Sequence, residues 1–171
     1  MEKTLAVINQ MQADGVIGKY AIGGAIAAFY YIEPAATKDL DIFIALDPEP
    51  GGLVLLAPIY NYLKTKGYRE ECEAVLIENW AVQFLPASDP LLQEALDTAG
   101  RIEFQGAPTR IFRAEYLMAI SLRTGRDKDY ARLAQFIEEN IADQTLFTEI
   151  LKRHHLIEQW EKFKNRPPSN P

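Results

Sequence analysis

Residues 20–46 read YAIGGAIAAFYYIEPAATKDLDIFIAL. The short apolar run Tyr20-Ala21-Ile22 stops at Gly23-Gly24 and gives way to AIAAFYYI, which spells strand, glycine turn, helix. After a loop containing Pro34, LDIFIAL (40–46) is dense in Ile, Leu and Phe and ends at Asp47-Pro48. That is the profile of a strand buried on both faces.

Working outward, KTLAVINQMQA (3–13) carries Leu5, Ile8 and Met11 at helical spacing, and Asp14-Gly15 supplies a stop. Leu56, Ile59, Tyr60 and Leu63 repeat that spacing as far as about Lys66, with Gly67 as the C-terminal stop. CEAVLIE (72–78) and WAVQFL (80–85) are separated by little more than Asn79, which predicts a tight hairpin and an antiparallel component in the sheet. Asp89-Pro90 opens a helix that runs to about Ala99, and RIEFQ and TRIFR form a second short hairpin around Gly106-Ala107-Pro108. Three helical segments follow at roughly 114–123, 127–139 and 143–164. The expected architecture is an α/β (α+β) core over 1–112 with a mixed sheet and flanking helices. A small helical bundle over 113–165 completes the same compact unit, and RPPSNP (166–171) is a frayed tail.

With 171 residues and 48% hydrophobic content, the chain has enough apolar material for a sizeable core, so disorder is not the default reading. Cys72 is the only cysteine, which excludes an internal disulfide and a multi-thiolate zinc site, and is expected to be a buried, inert thiol in a reducing compartment. No window approaches the roughly 20 apolar residues of a membrane span, and the N-terminus lacks a basic region followed by an apolar stretch. A cytoplasmic protein with no membrane partner is expected. The net charge of −6 argues against a broad nucleic-acid-coating surface. The charge is uneven: residues 1–100 hold 6 Lys/Arg against 14 Asp/Glu, whereas 101–132 hold seven bases against four acids. Either two ordinary solvated faces or a segment meant for phosphate would produce that split.

The chemistry concentrates at the opening stretch. A glycine pair between strand and helix lets the backbone turn tightly and approach a ligand with no Cβ in the way, and the helix start offers free N–H groups to phosphate. The same pair also serves as a plain tight turn. Asp39 and Asp41 flank Leu40 at the start of a strand, and alternation sends both carboxylates to one face. Like charges so close repel each other unless a divalent ion such as Mg²⁺ is shared between them, or unless one is solvated and pairs with Lys38.

Gly23-Gly24, fourteen intervening residues and Asp39-Leu40-Asp41 together resemble the signature of the DNA polymerase β-type nucleotidyltransferase superfamily. More narrowly, the Thr37-Lys38-Asp39-Leu40-Asp41 string and the block RIFRAEYLMAISLRTGRDKDYARL (110–133) resemble the AbiEii-type toxin group of toxin-antitoxin systems. The resemblance implies a minimal nucleotidyltransferase fold, followed by helices, that transfers a nucleoside monophosphate from an NTP to a hydroxyl or terminal group of RNA, protein or a small molecule. It implies that Gly23 and Gly24 hold phosphates and that Asp39 and Asp41 bind Mg²⁺ (or Mn²⁺). Lys38, Arg123, Arg126 and Lys128 would contact nucleotide or acceptor, and a cognate antitoxin protein is an implied partner.

Three positions depart from the family pattern. Its third carboxylate falls in WAVQFLP at Gln83, its usual lysine at Ser121, and a common aspartate near Arg132. Gln83 keeps a place among the catalytic candidates because an amide oxygen can ligate a metal or orient a hydroxyl, but it takes no proton at neutral pH. Glu73 and Glu78 are possible substitutes, and Arg123 could supply the charge absent at Ser121. The alternative function is therefore a weakened nucleotidyltransferase fold that acts by binding nucleotide, RNA or a cognate protein. His154 and His155, adjacent on an expected helix, point about 100° apart and do not chelate one metal together. Trp80, Trp160 and the Phe147, Ile150, Leu151 stripe fit packing.

Overall fold

The computed structural model describes residues 1–33, 37, 39–45 and 56–166. The chain divides into two compact units, Met1–Arg113 and Ala114–Pro171.

The first unit is built from α1 (Glu2–Ala13), β1 (Tyr20–Ile22), α2 (Gly24–Ala28), β2 (Asp39–Ile44), α3 (Ala57–Thr65), β3 (Arg69–Glu71), β4 (Ala74–Ile77), β5 (Trp80–Pro86), α4 (Pro90–Asp97), β6 (Gly100–Phe104) and β7 (Ala107–Ile111). Its strands form a seven-stranded sheet in the order β3-β4-β5-β2-β1-β7-β6. The central strand β2 pairs antiparallel with β1 and parallel with β5, and β1 pairs parallel with β7. The sheet is thus mixed, as the sequence predicts, and flanked by helices.

The pattern of β2 explains its central place. Leu40, Ile42 and Ile44 are fully buried on one face, and their burial contributes roughly 1.5–3 kcal/mol each. On the other face Asp39 is exposed, Asp41 half-buried and Phe43 buried. The expectation of a strand buried on both faces holds only from Ile42 to Ile44, and Leu46 lies outside the described residues. Helix α1 lies over the apolar face: Leu5, Ile8 and Met11 are fully buried, and Asn9 Oδ1 accepts a hydrogen bond of 2.6 Å from the Tyr20 hydroxyl.

The two expected hairpins are present, with their turns shifted. Glu78-Asn79 join β4 to β5 and Gln105-Gly106 join β6 to β7, all four with positive φ, the backbone that two-residue turns of type I′ require. The segment expected as a strand over 72–78 becomes β4 only from Ala74, because Cys72, with φ 56°, lies in a turn that follows a further strand, β3, not foreseen in the sequence. Cys72 is exposed, which corrects the expectation of a buried thiol: it occupies the turn, and no core position is available there. Helix α2 is shorter than AIAAFYYI suggests, because the chain passes into turns from Phe29 onward.

The second unit packs α5 (Ala114–Thr124), α6 (Asp127–Glu138), α7 (Gln144–Arg153) and α8 (Ile157–Lys164). The helix expected over 143–164 is two helices. His155 takes φ 57°, and the Leu156 N–H reaches back 2.8 Å to the Leu151 carbonyl, a left-handed helix end sealed by buried Leu156. The histidines therefore cap a helix end. Phe147, Ile150 and Leu151 are buried as expected, and Trp160 packs edge-on against Phe147 and stacks on Phe163. Among the described residues no helix is long and apolar enough to cross a membrane.

Asp89 caps α4, accepting hydrogen bonds from the Leu91 and Leu92 N–H groups at 3.0 and 3.1 Å. Asp89→Ala is expected to lower unfolding free energy by about 1 kcal/mol, measured by urea titration. An unchanged midpoint would show that the cap contributes nothing.

Candidate functional site

The glycine turn and the aspartate pair meet where β1 lies against β2. The register pairs Ile22 with Ile42, and the Gly23 N–H donates to the Asp41 carbonyl at 2.9 Å, carrying the ladder one residue past the strand. Gly24 then takes φ +59°, a conformation natural to glycine and strained for other residues. A Cβ placed on Gly24 would overlap the Asp41 carboxylate, lying 2.8 Å from its Cγ and closer still to Oδ2. The space left by the missing side chain is thus filled by that carboxylate. On Gly23 a Cβ would run into the Phe43 ring, which packs on Phe112 with centroids 4.8 Å apart. The bend therefore rests on an aromatic shelf and closes against an acid.

Asp39 and Asp41 share one face of β2 by strand alternation, about 6.6 Å apart along the strand. Their repulsion in a half-solvated setting is of order 1 kcal/mol, well below what burial of Leu40, Ile42 and Ile44 returns on the opposite face. The strand can hold an acid pair because its other side is so well packed. In the parallel pairing with β5, Asp39 lies beside Ala81 and Asp41 beside Gln83. Gln83 is half-buried, with its side chain on the face of the aspartates.

The sheet thus brings Gly23, Gly24, Asp39, Asp41 and Gln83 together. Among the described residues no three His, Cys, Asp or Glu groups converge on one point. Glu73 and Glu78 do not join the set: both are exposed and sit in turns at the ends of β4, and Glu78 accepts a 3.0 Å hydrogen bond from the Tyr68 hydroxyl. Lys38 lies outside the described residues. Arg123, Arg126 and Lys128 belong to the helical unit. There Arg126 Nε lies 2.6 Å from Asp129, which is buried and also lies 3.5 Å from Arg132, so this trio braces the start of α6. Ser121 is buried within α5. The contribution the sequence reading missed is Phe43, whose place follows from the same alternation that aligns the aspartates.

Gly24→Ala is expected to destabilise the protein by about 2–4 kcal/mol, combining left-handed strain with displacement of the Asp41 carboxylate. Gly15→Ala, with φ +72° and nothing within 4 Å of the new Cβ, isolates the backbone term and should cost about 1–2 kcal/mol. Equal losses in denaturant titrations would remove the argument that Asp41 and Gly24 interlock.

No protein-family model matches the chain, and no curated protein does. Among solved structures, it is similar to an antigenic nucleotidyltransferase-like protein from Paracoccidioides brasiliensis, with a TM-score of 0.55 and 14% identity over 96% of this chain and 93% of that one. At that identity the likeness is one of fold. The chain has the mixed-sheet architecture of a nucleotidyltransferase-like protein.

Proposed function

We propose that this protein is a metal-dependent nucleotidyltransferase, moving a nucleoside monophosphate from an NTP to a hydroxyl or terminal group of RNA, protein or a small molecule. The observation that carries the reading is the Asp41 carboxylate lodged against the Gly24 backbone, with Asp39 on the same face of the strand. The nucleotidyltransferase-like fold supports the general class.

The donor set fits Mg²⁺ or Mn²⁺. Two carboxylates and the Gln83 amide oxygen on adjoining strands are hard oxygen donors, and such ions take their remaining ligands from water and substrate phosphates. Once bound, the ion would neutralise charge on the phosphates and orient the reacting oxygens. The chain's own part is to hold Asp41 fixed against Gly24 and to carry Asp39 on the same face of the strand, beside the bend at Gly23 and Gly24, where phosphate would approach. Gln83 would orient the attacking hydroxyl without accepting its proton.

Within this reading, the Thr37–Asp41 string and the 110–133 block favour the AbiEii-type toxin group, with a cognate antitoxin as partner. The amide at Gln83 favours a second reading, in which the fold binds nucleotide, RNA or a partner protein and turns over slowly or not at all.

Calorimetry is expected to detect Mg²⁺-dependent NTP binding that weakens about a hundredfold or more in Asp39→Ala/Asp41→Ala, since both charged ligands are lost. Undiminished affinity in that variant would sink the metal-site reading. With labelled NTP and a panel of acceptors, Gln83→Asp is expected to raise transfer about tenfold or more by restoring a proton acceptor. Brisk transfer by the unaltered chain would dismiss the second reading.

A further inference from the structure

Residues in register on neighbouring strands project to the same face of a sheet. Asp39 lies opposite Ala81, Ala81 opposite Leu76, and Leu76 opposite Arg69. One row therefore runs from the aspartate site across β5 and β4 to the edge strand β3. At about 4.8 Å per strand it spans about 14 Å between backbones. The other face of these strands is the covered one. Val75, Ile77 and Val82 are buried there, and the Thr4 hydroxyl of α1 donates to the Ile77 carbonyl at 3.2 Å. Glu70, opposite Val75, acts with Glu73 on Tyr60 of α3, whose phenol burial and those carboxylates hold protonated. The row itself is open: Leu76 is 36% exposed, Ala81 half-buried, and Asp39 and Arg69 are exposed.

Leu76 is the one large apolar side chain left exposed within a strand among the described residues, and it stands in line with the aspartate pair. Among those residues Arg69 has no carboxylate within ion-pair distance. Glu71, on the same face of β3, lies opposite Ala74, one row over, so the guanidinium is the only charge at its end of the row. Strands β4 and β5 are paired along both edges, so a peptide strand finds no main-chain groups to add to on this face. What the face offers is an acid, a small apolar patch and a cation, in that order. Those chemistries complement one nucleotide unit: a hydroxyl at the acid end, a sugar and base over the apolar patch, and a phosphate at the guanidinium, which binds phosphate oxygens in pairs.

Resting on the transferase reading above, we infer that this row seats the acceptor and that the acceptor is the end of a polynucleotide. Its terminal hydroxyl lies beside Asp39, its last nucleoside covers Ala81 and Leu76, and the phosphate on the far side of that nucleoside meets Arg69. In the transfer, the hydroxyl oxygen bonds to the α-phosphorus of the NTP, the bond to the β-phosphate breaks, pyrophosphate leaves and the hydroxyl proton passes to water. One arginine places one phosphate, which accords with a chain of net charge −6 that grips an end and does not coat a strand. Arg69 and Leu76 take no part in holding the NTP.

The test uses the full chain with Mg²⁺ and an α,β-methylene NTP, which fills the donor seat without reacting. Fluorescence anisotropy follows a short single-stranded RNA labelled at its 5′ end. Arg69→Gln is expected to weaken RNA binding about tenfold, through loss of a charged hydrogen bond, and Leu76→Thr about threefold or more, through loss of apolar contact. Mg²⁺–NTP affinity by calorimetry and the melting temperature should stay unchanged in both, since the side chains are exposed and threonine keeps the strand preference of β4. A circular RNA of the same sequence, having no end, should compete poorly. Equal binding of the matching DNA assigns either sugar to the seat, and binding of RNA alone assigns ribose. Unchanged RNA affinity in either variant, or equal competition by the circle, overturns the acceptor seat and leaves the metal-site reading standing if NTP still binds. No RNA binding by the unaltered chain also overturns it and hands the face to a protein or small-molecule acceptor. Absence of Mg²⁺-dependent NTP binding in the unaltered chain removes both.

Discussion

The first unit depends on one steric exclusion. Gly24 has no side chain, its φ of +59° suits no ordinary residue, and the volume a Cβ would claim is held by the carboxylate of Asp41. That contact fixes where β1 ends relative to β2, because the Gly23 N–H must still reach the Asp41 carbonyl. Register, turn and acid are set together. A shift of one residue would turn Leu40, Ile42 and Ile44 outward and put the aspartates into the core, a loss of several kcal/mol that no local rearrangement recovers.

The same arithmetic explains how a charged strand can be central. Its two neighbours in the strand order, β5 on one side and β1 on the other, cover the edges of β2, and each is itself paired on its far side, β5 with β4 and β1 with β7. The apolar face is sealed by fully buried side chains, and α1 covers it with Leu5, Ile8 and Met11. Against that, a repulsion of order 1 kcal/mol between two half-solvated carboxylates is small. The charged end of β2 is therefore stable enough to persist without being optimal for stability, which is the usual condition of a functional site.

Much of this was legible in the sequence, because the signals were local. The glycine pair, the DLD string and the apolar run of β2 sit within one short stretch, and period-two alternation alone puts both aspartates on one face. The strand that brings Gln83 beside Asp41 was also legible, although the parallel register was not, since it depends on a connection through β3 and β4. What escaped were features set by backbone conformations that propensity does not announce. Cys72 and His155 both adopt left-handed φ without being glycine, so a strand began later than expected and a helix divided in two where the residue pattern ran on smoothly. The exposure of Cys72 follows from the same event. The ion pair of Arg126 with Asp129, three residues on, was likewise not announced by the residue pattern.

Gln83 is where stability and chemistry pull in opposite directions. A carboxylate there would face Asp41 across adjoining strands about 4.8 Å apart. With an effective dielectric between that of water and that of a protein surface, the added repulsion is of order 1–2 kcal/mol, and Asp39 would contribute more. The amide removes that penalty in the metal-free chain while keeping an oxygen in the same place. What it gives up is a proton acceptor, which matters only when a hydroxyl must be deprotonated. The substitution therefore weakens proton transfer more than it weakens cation or phosphate binding. A chain carrying it can keep the fold, the glycine bend and both aspartates intact whether its work is slow transfer or capture.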